Sequence, residues 1–266
     1  MKRCWIHAHV YYGDLWPQLS CCIANFTPCG FDLCVTCCDT DPQLGNRVKT
    51  DFPQARFLVL PNQGFDVGPF FEAISGINLD QYDYVVKLHT KRDVSYWVNF
   101  LPVFGSSWRN RLLSFCDTEK HLRLTMQAFD RHPEIGMIAH PTLIVSRGDR
   151  DEKEPVKRQA EAIVARAGFQ PGPRRFVAGT MFMVRASACR ALQGLARIDD
   201  FAASSKHKTD LAHVYERAFG YLMTAQGLKI GDNRGLTFIF DLTYWIRMPL
   251  FYVMRTMFRL LTFRMP

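Results

Sequence analysis

The stretch Tyr82-Asp83-Tyr84-Val85-Val86-Lys87-Leu88-His89-Thr90-Lys91-Arg92-Asp93 decides the fold. Tyr84-Val85-Val86 has no polar break, as in strands covered on both faces, and from Lys87 onward the chain turns abruptly polar. A buried strand that ends in titratable residues marks an α/β sheet, where ligands bind beyond the carboxyl ends of the strands. Upstream, residues 4–11, 31–38 and 56–60 also read as strands, with Trp5, His7, His9 and Tyr11 alternating onto one face of the first. Asp14 and Pro17 open a helix to about residue 26, and residues 62–69 turn into a helix at 70–74. Downstream come helices at 108–115 and 119–131 and a strand at 135–139. A charged surface excursion at 147–158 leads into a helix to about 167. A strand at 176–184, helices at 186–195 and 211–226 with Gly227 as C-cap, and a short strand at 228–230 follow. This alternation predicts an α/β, Rossmann-like fold, a mostly parallel sheet flanked by helices, over residues 1–237.

Composition limits the partners. At 266 residues the chain can bury a full core, and 48% hydrophobic against 22% charged content excludes wholesale disorder. A net charge of +8 and a pI near 9.1 suit an anionic partner: nucleic acid, a nucleotide diphosphate or acidic lipid. Nucleic acid is set aside, because outside the C-terminal tail the basic residues are not gathered with exposed aromatics on one readable element. Of nine cysteines, seven lie in the first 38 residues. Cys34 and Cys37 have a CxxC spacing open to a metal or redox reading. Strand alternation would send them to opposite faces, however, and no second CxxC follows at zinc-ribbon distance. Buried reduced thiols, and with them a reducing, cytoplasmic compartment, are the expectation. The first residues lack the long apolar run of a signal peptide.

The polar clusters fall at strand ends: Tyr11-Tyr12, residues 62–66, residues 87–93, and Gly179-Thr180 inside the later strand. Gly64 and Gly68 let the backbone turn tightly into a helix with Pro69 in its first turn, whose free N–H groups can hold a phosphate. Asp66 either orients a sugar or ribose hydroxyl or caps that helix. Lys87, His89 and Lys91 share a face if the strand continues. Fixed cations there would stabilise the charge that develops on a departing diphosphate; otherwise they are a polar strand end reaching solvent.

Four blocks resemble the rhamnan synthesis protein F family. They are Asp66-Val67-Gly68-Pro69-Phe70, residues 82–91, Ala178-Gly179-Thr180-Met181-Phe182, and Ala212-His213-Val214-Tyr215-Glu216-Arg217. The resemblance spans roughly residues 4–232. It implies a GT-A-like nucleotide-sugar fold and transfer of rhamnose, with dTDP-rhamnose as the expected donor, to a growing rhamnan or O-antigen-type polysaccharide or lipid-linked glycan; inversion is implied by the second resemblance below. With the strand-end clusters, the candidates for donor and phosphate binding are Tyr11, Asp66, Gly68, Lys87, His89, Thr90 and Lys91, and those for the sugar or acceptor are Gly179, Thr180 and Arg217. Two features depart from the pattern. Where GT-A enzymes carry Asp-x-Asp for a metal, this chain reads Lys87-Leu88-His89-Thr90-Lys91, with no acid until Asp93. No metal ligand is therefore assigned, and Mg²⁺ or Mn²⁺ stays an open alternative. An acid-Gly-Thr stretch expected before Leu211 reads Lys208-Thr209-Asp210.

The later half also resembles inverting family 2 glycosyltransferases, in which an acidic base lies eleven residues before a Gly-Tyr-Lys-Ile-like strand. Counting back eleven from Gly227-Leu228-Lys229-Ile230 reaches Glu216. Glu216 is the candidate general base, with His213 one turn earlier as its orienter or rival and Asp210 as a further candidate. Alternatively Glu216 is a surface residue paired with Arg217 or Lys208.

Residues 238–266 form a tail with one acid, Asp241, and four arginines among apolar side chains. Arg247, Arg255 and Arg259 fall on one helical stripe, and the arginines interrupt every window long enough to span a bilayer. A basic amphipathic helix on the inner face of the cytoplasmic membrane is expected, or else a helix packed on the domain or a partner. Besides a transferase of rhamnose, the sequence allows a transferase of another sugar and a non-catalytic, degenerate transferase module that scaffolds polymer synthesis.

Overall fold

A computed structural model describes residues 2–38, 41, 43–93, 96–98, 101–146, 154–202, 211–243, 246, 247, 249, 250 and 253. The chain begins β1 (Cys4–Val10), α1 (Trp16–Ala24), β2 (Phe31–Cys37), α2 (Leu44–Asp51), β3 (Arg56–Val59), α3 (Val67–Ser75), β4 (Tyr84–His89). A hairpin, β5 (Tyr96–Val98) and β6 (Leu101–Val103), precedes α4 (Ser107–Leu113), α5 (Glu119–Arg131) and β7 (Ile135–Ile138). Then come β8 (Ile144–Ser146), α6 (Glu154–Arg166), β9 (Arg175–Val177), β10 (Phe182–Arg185) and α7 (Ala186–Cys189). The chain continues with α8 (Leu211–Ala225), β11 (Lys229–Gly231) and α9 (Thr237–Leu242).

Among the described residues seven strands form the main sheet, in the order β11-β7-β10-β4-β1-β2-β3. All neighbours run parallel except β10, which is antiparallel to both β4 and β7. β1 is buried along its whole length, which is why it carries no exposed alternation. This is the expected mainly parallel sheet flanked by helices.

Three local expectations are corrected. Residues 176–184 are not one strand: β9 and β10 are separated by a turn in which Gly179 (φ 84) and Thr180 (φ 52) are both left-handed. β9 leaves the main sheet to pair with β8. Helix α2 and the short strands β5, β6 and β8 carry too few apolar positions for a periodic signal; α2 buries only Leu44 and Val48. All nine cysteines are unbridged, and all are buried except half-buried Cys29 and exposed Cys21.

What positions the site is the aromatic seam between α3 and α8. Phe71 meets Tyr215 edge-on at 4.6 Å and stacks on Phe219 at 5.8 Å, while Phe70 meets Phe219 at 5.6 Å. Such ring pairs add about 0.5–1.5 kcal/mol each beyond their burial, so the two helices are held rigidly. At the other end, Asp241 of α9 is tied to Arg175 and to the Ser146 hydroxyl. In the tail Phe238, Ile239, Leu242, Ile246, Leu250 and Val253 are exposed. Arg255 and Arg259, like residues 147–153, lie outside the described residues. No described helix is long and apolar enough to cross a membrane.

Candidate active site

The antiparallel direction of β10 builds the site. Phe182, at its start, pairs with Lys87 near the carboxyl end of β4, so the Gly179-Thr180 turn lands beside the polar end of that strand. Gly179 is glycine for two reasons. Its φ is +84°, and a Cβ would come within 2.6 Å of Leu112 and 2.9 Å of Trp108 on α4. Phe65 and Thr180 are the positive-φ residues other than glycine among those described. Both flank Asp66, a concentration of backbone strain of the kind found at ligand sites.

Asp66 is the hub. It sits at the N-cap of α3, yet its carboxylate makes no capping bond. It receives the Lys87 ammonium and the Thr180 hydroxyl instead. The capping alternative is thus corrected, because a buried lysine outcompetes neutral amides for a carboxylate. Burial alone would raise the Asp66 carboxyl, but His89, Lys87 and the bonds from Lys87 and Thr180 override it and hold it well below the usual carboxylate range.

Lys87 is 0% exposed and also donates to the Thr180 carbonyl and hydroxyl, each at 3.2 Å. Burial lowers it from the usual lysine value although Asp66 and Glu216 pull upward. It therefore does not face solvent or a leaving group: it is committed to Asp66. His89 lies between two carbonyl oxygens, with Nε2 2.8 Å from that of Gly179 and Nδ1 3.1 Å from that of Thr90. Burial lowers its pKa against the pull of Asp66.

Two cavities meet at this hub and share Phe65, Asp66, His89 and Lys91. The larger, about 280 Å³, adds His9, Tyr11, Tyr12, Asn62, Thr90 and Arg92. The smaller, about 150 Å³, adds Gly179, Thr180, His213 and Glu216. Lys91 has no ion-pair partner among the described residues, whereas Arg92 is paired with Asp14. The Thr90 hydroxyl accepts from both the Tyr11 and Tyr12 amides at 3.0 Å and so shapes the rim. A larger cavity, about 670 Å³, lies between α5, β11 and α9. Its buried carboxylate, Asp232, is occupied by the Arg234, Leu236 and Thr237 amides.

Glu216 accepts the Gly179 amide at 2.7 Å and pairs with Arg217 through its other oxygen. The surface pairing with Arg217 is thus present, and the carboxylate still lines the smaller cavity. Arg217 itself lies over the Phe176 ring and lines neither cavity, so it holds Glu216 rather than facing a ligand. His213 shares the cavity with Glu216, meets Phe65 edge-on, and has no hydrogen bond at Nδ1 among the described residues. It is a neighbour of Glu216, not its orienter.

Gly68 is placed differently from the phosphate-site expectation. Its amide is bonded to the Gly64 carbonyl, and a Cβ there would lie 2.3 Å from the Gln63 carbonyl oxygen, so close packing explains it. Asp93 is paired with Arg109. Lys208, Thr209 and Asp210 lie outside the described residues. No group of three or more His, Cys, Asp or Glu among the described residues is arranged to hold a metal ion. The sequence places His7 and His9 on one face of the first strand but gives neither a role in the site, and Thr36 carries no signal of its own.

The chain is an α/β protein with a mainly parallel, helix-covered sheet and a polar cleft beyond the carboxyl ends of β1, β3 and β4, where α/β sheets place their ligand sites. The profile of the rhamnan synthesis protein F family matches residues 1–228, and the chain belongs to that family. Membership associates it with the synthesis of a polysaccharide. No curated protein matches the chain.

Proposed function

We propose that this chain is a glycosyltransferase that moves a sugar, rhamnose by family, from a nucleotide diphosphate onto a growing surface polysaccharide with inversion. The observation that carries this reading is the pair of joined cavities. The larger has aromatic walls and cations suited to a nucleotide diphosphate, and the smaller holds Glu216. Lys91 stabilises the negative charge on the departing diphosphate. Glu216, oriented by the Gly179 amide and Arg217, takes the proton of the acceptor hydroxyl as that oxygen attacks the anomeric carbon. Asp66 and His89 form the wall between the two. The exposed apolar residues of 238–253 lie against the cytoplasmic membrane surface, where lipid-linked acceptors are concentrated.

The test is a panel of nucleotide sugars, each incubated with the protein and an acceptor glycan, with release of nucleoside diphosphate measured. Turnover of a deoxythymidine diphosphate sugar supports the reading. Binding of nucleotide without turnover of any sugar points to a scaffolding module.

A further inference from the structure

Two buried histidines, of which His9 lines the 280 Å³ cavity, are joined through one hydroxyl. Thr36 Oγ1 lies 2.9 Å from His7 Nε2 and 3.0 Å from His9 Nδ1. The remaining nitrogens, His7 Nδ1 and His9 Nε2, are buried without a partner among the described residues. His7 is enclosed by Trp5 and Phe70, with ring centroids at 6.2 and 5.5 Å. His9 forms part of the cavity wall, beside Asn62, Asp66 and the Tyr11 and Tyr12 rings.

A hydroxyl has a single proton, so the tautomers of the two rings are coupled. If His7 donates from Nε2, Thr36 donates on to His9 Nδ1. His7 then keeps a lone pair in its apolar pocket, and His9, a residue of the cavity wall, carries its proton on Nε2, which is buried and unpaired among the described residues. Each order leaves one N–H without a partner among the described residues, at His9 Nε2 in the first and at His7 Nδ1 among the Trp5 and Phe70 rings in the reverse, and both rings donating would strand the hydroxyl proton as well. The surrounding charges favour the first order. Lys87, the register partner of His7 across β1 and β4, is a positive charge that favours a lone pair there. Asp66, on the same cavity as His9, is a negative charge that favours a proton there. Burial, reinforced at His7 by Lys87, keeps His7 well below the usual histidine value and brings His9 down to about 3, so both rings are neutral.

We propose that the His7–Thr36–His9 chain locks His9 as a neutral Nε2–H donor in the cleft, where it reads an uncharged carbonyl oxygen on the nucleobase of the bound nucleotide. A neutral donor gives little to a phosphate, which Lys91 serves, and aromatic walls suit a flat base. Thr36 and His7 are positioning residues. This rests on the preceding reading that the cleft holds a nucleotide.

The experiment has two arms. Nitrogen-15 NMR of histidine-labelled protein reads the tautomers directly. The expected result is His9 protonated on Nε2, shifting to a mixture in Thr36→Val; His9 protonated on Nδ1 in the wild type overturns the proposal. Calorimetry then compares uridine diphosphate, whose base has carbonyl oxygens, with adenosine diphosphate, whose base has none. His9→Phe should weaken uridine diphosphate binding about tenfold and leave adenosine diphosphate nearly unchanged, with His9→Gln recovering part of the loss. Equal losses for both nucleotides, or none for either, overturn the role of His9 while leaving the nucleotide site intact. Failure of both nucleotides to bind the wild type removes the underlying reading and this inference with it.

Discussion

Replacing Asp66 by asparagine leaves the Lys87 ammonium buried among neutral acceptors, the Thr180 carbonyl and hydroxyl and the new amide oxygen, with no counter-charge in contact. Removing one partner of a buried ion pair costs about 3–5 kcal/mol, because the surviving charge is stranded. Lys87 is 0% exposed and Asp66 17%, so water cannot reach the lysine without local opening. The lysine's escape is to lose its proton, and each unit by which its pKa falls below neutral pH is worth about 1.4 kcal/mol, which limits the loss. At roughly 2–4 °C per kcal/mol for a domain of this size, the variant should melt roughly 6–20 °C lower. The sign with pH is fixed. Lys87 in the variant lies further below its unfolded value of about 10.4, so between the two values the unfolded chain binds more protons. Stability of Asp66→Asn must therefore climb as pH rises toward about 10, more steeply than in the wild type, where Asp66 keeps the lysine charged. Thermal and urea unfolding at pH 7 and pH 9.5 measure both effects. The double variant Asp66→Asn/Lys87→Met removes the stranded charge and should recover most of the loss. If Asp66→Asn unfolds within 1 kcal/mol of wild type at pH 7 and shows no steeper pH slope, the buried pair is not the hub described above.

Glu216→Gln should keep nucleotide affinity and lower turnover roughly 10²–10⁴-fold; near-normal turnover, with His213→Ala or Asp210→Asn dead, would move the base to one of those residues. Lys91→Met should cost on the order of 2–4 kcal/mol in kcat/KM with little change in melting temperature, whereas Lys87→Met should reduce stability first. Since the loop after β4 offers no carboxylate facing the cleft and Asp93 is held by Arg109, turnover should survive EDTA; loss of activity restored by Mn²⁺ refutes this. Truncation after Thr243, which keeps Asp241 on Arg175, should leave a folded domain that no longer co-sediments with anionic vesicles. Vesicle binding unchanged by truncation would place the membrane contact elsewhere.

The strand-and-helix rhythm was readable because hydrophobic periodicity is local: β1, β4, α5 and α8 lie within a residue or two of where their patterns put them. The clustering of polar residues beyond the strand ends was readable for the same reason. The broken strand at Gly179-Thr180 was not, because Ala178 to Phe182 is apolar on either side of a left-handed turn, and the close approach of α4 that excludes a side chain at Gly179 comes from a distant segment.

Which polar side chains face a ligand and which face each other was decided by tertiary structure alone. Lys87 and Lys91 look alike along the chain, yet one is sealed under Asp66 and the other lines both cavities. Thr180 reaches Asp66 across 114 residues of sequence, and Gly179 reaches Glu216 across 37. The same holds for Thr36, which looks like an ordinary strand threonine until the register of β1 on β2 puts it opposite His9 and within reach of His7. Pairing of charges and the tautomer of a buried ring depend on distance and desolvation in three dimensions. Residue type and spacing along one strand determine which groups are present, and packing determines which of them stay free.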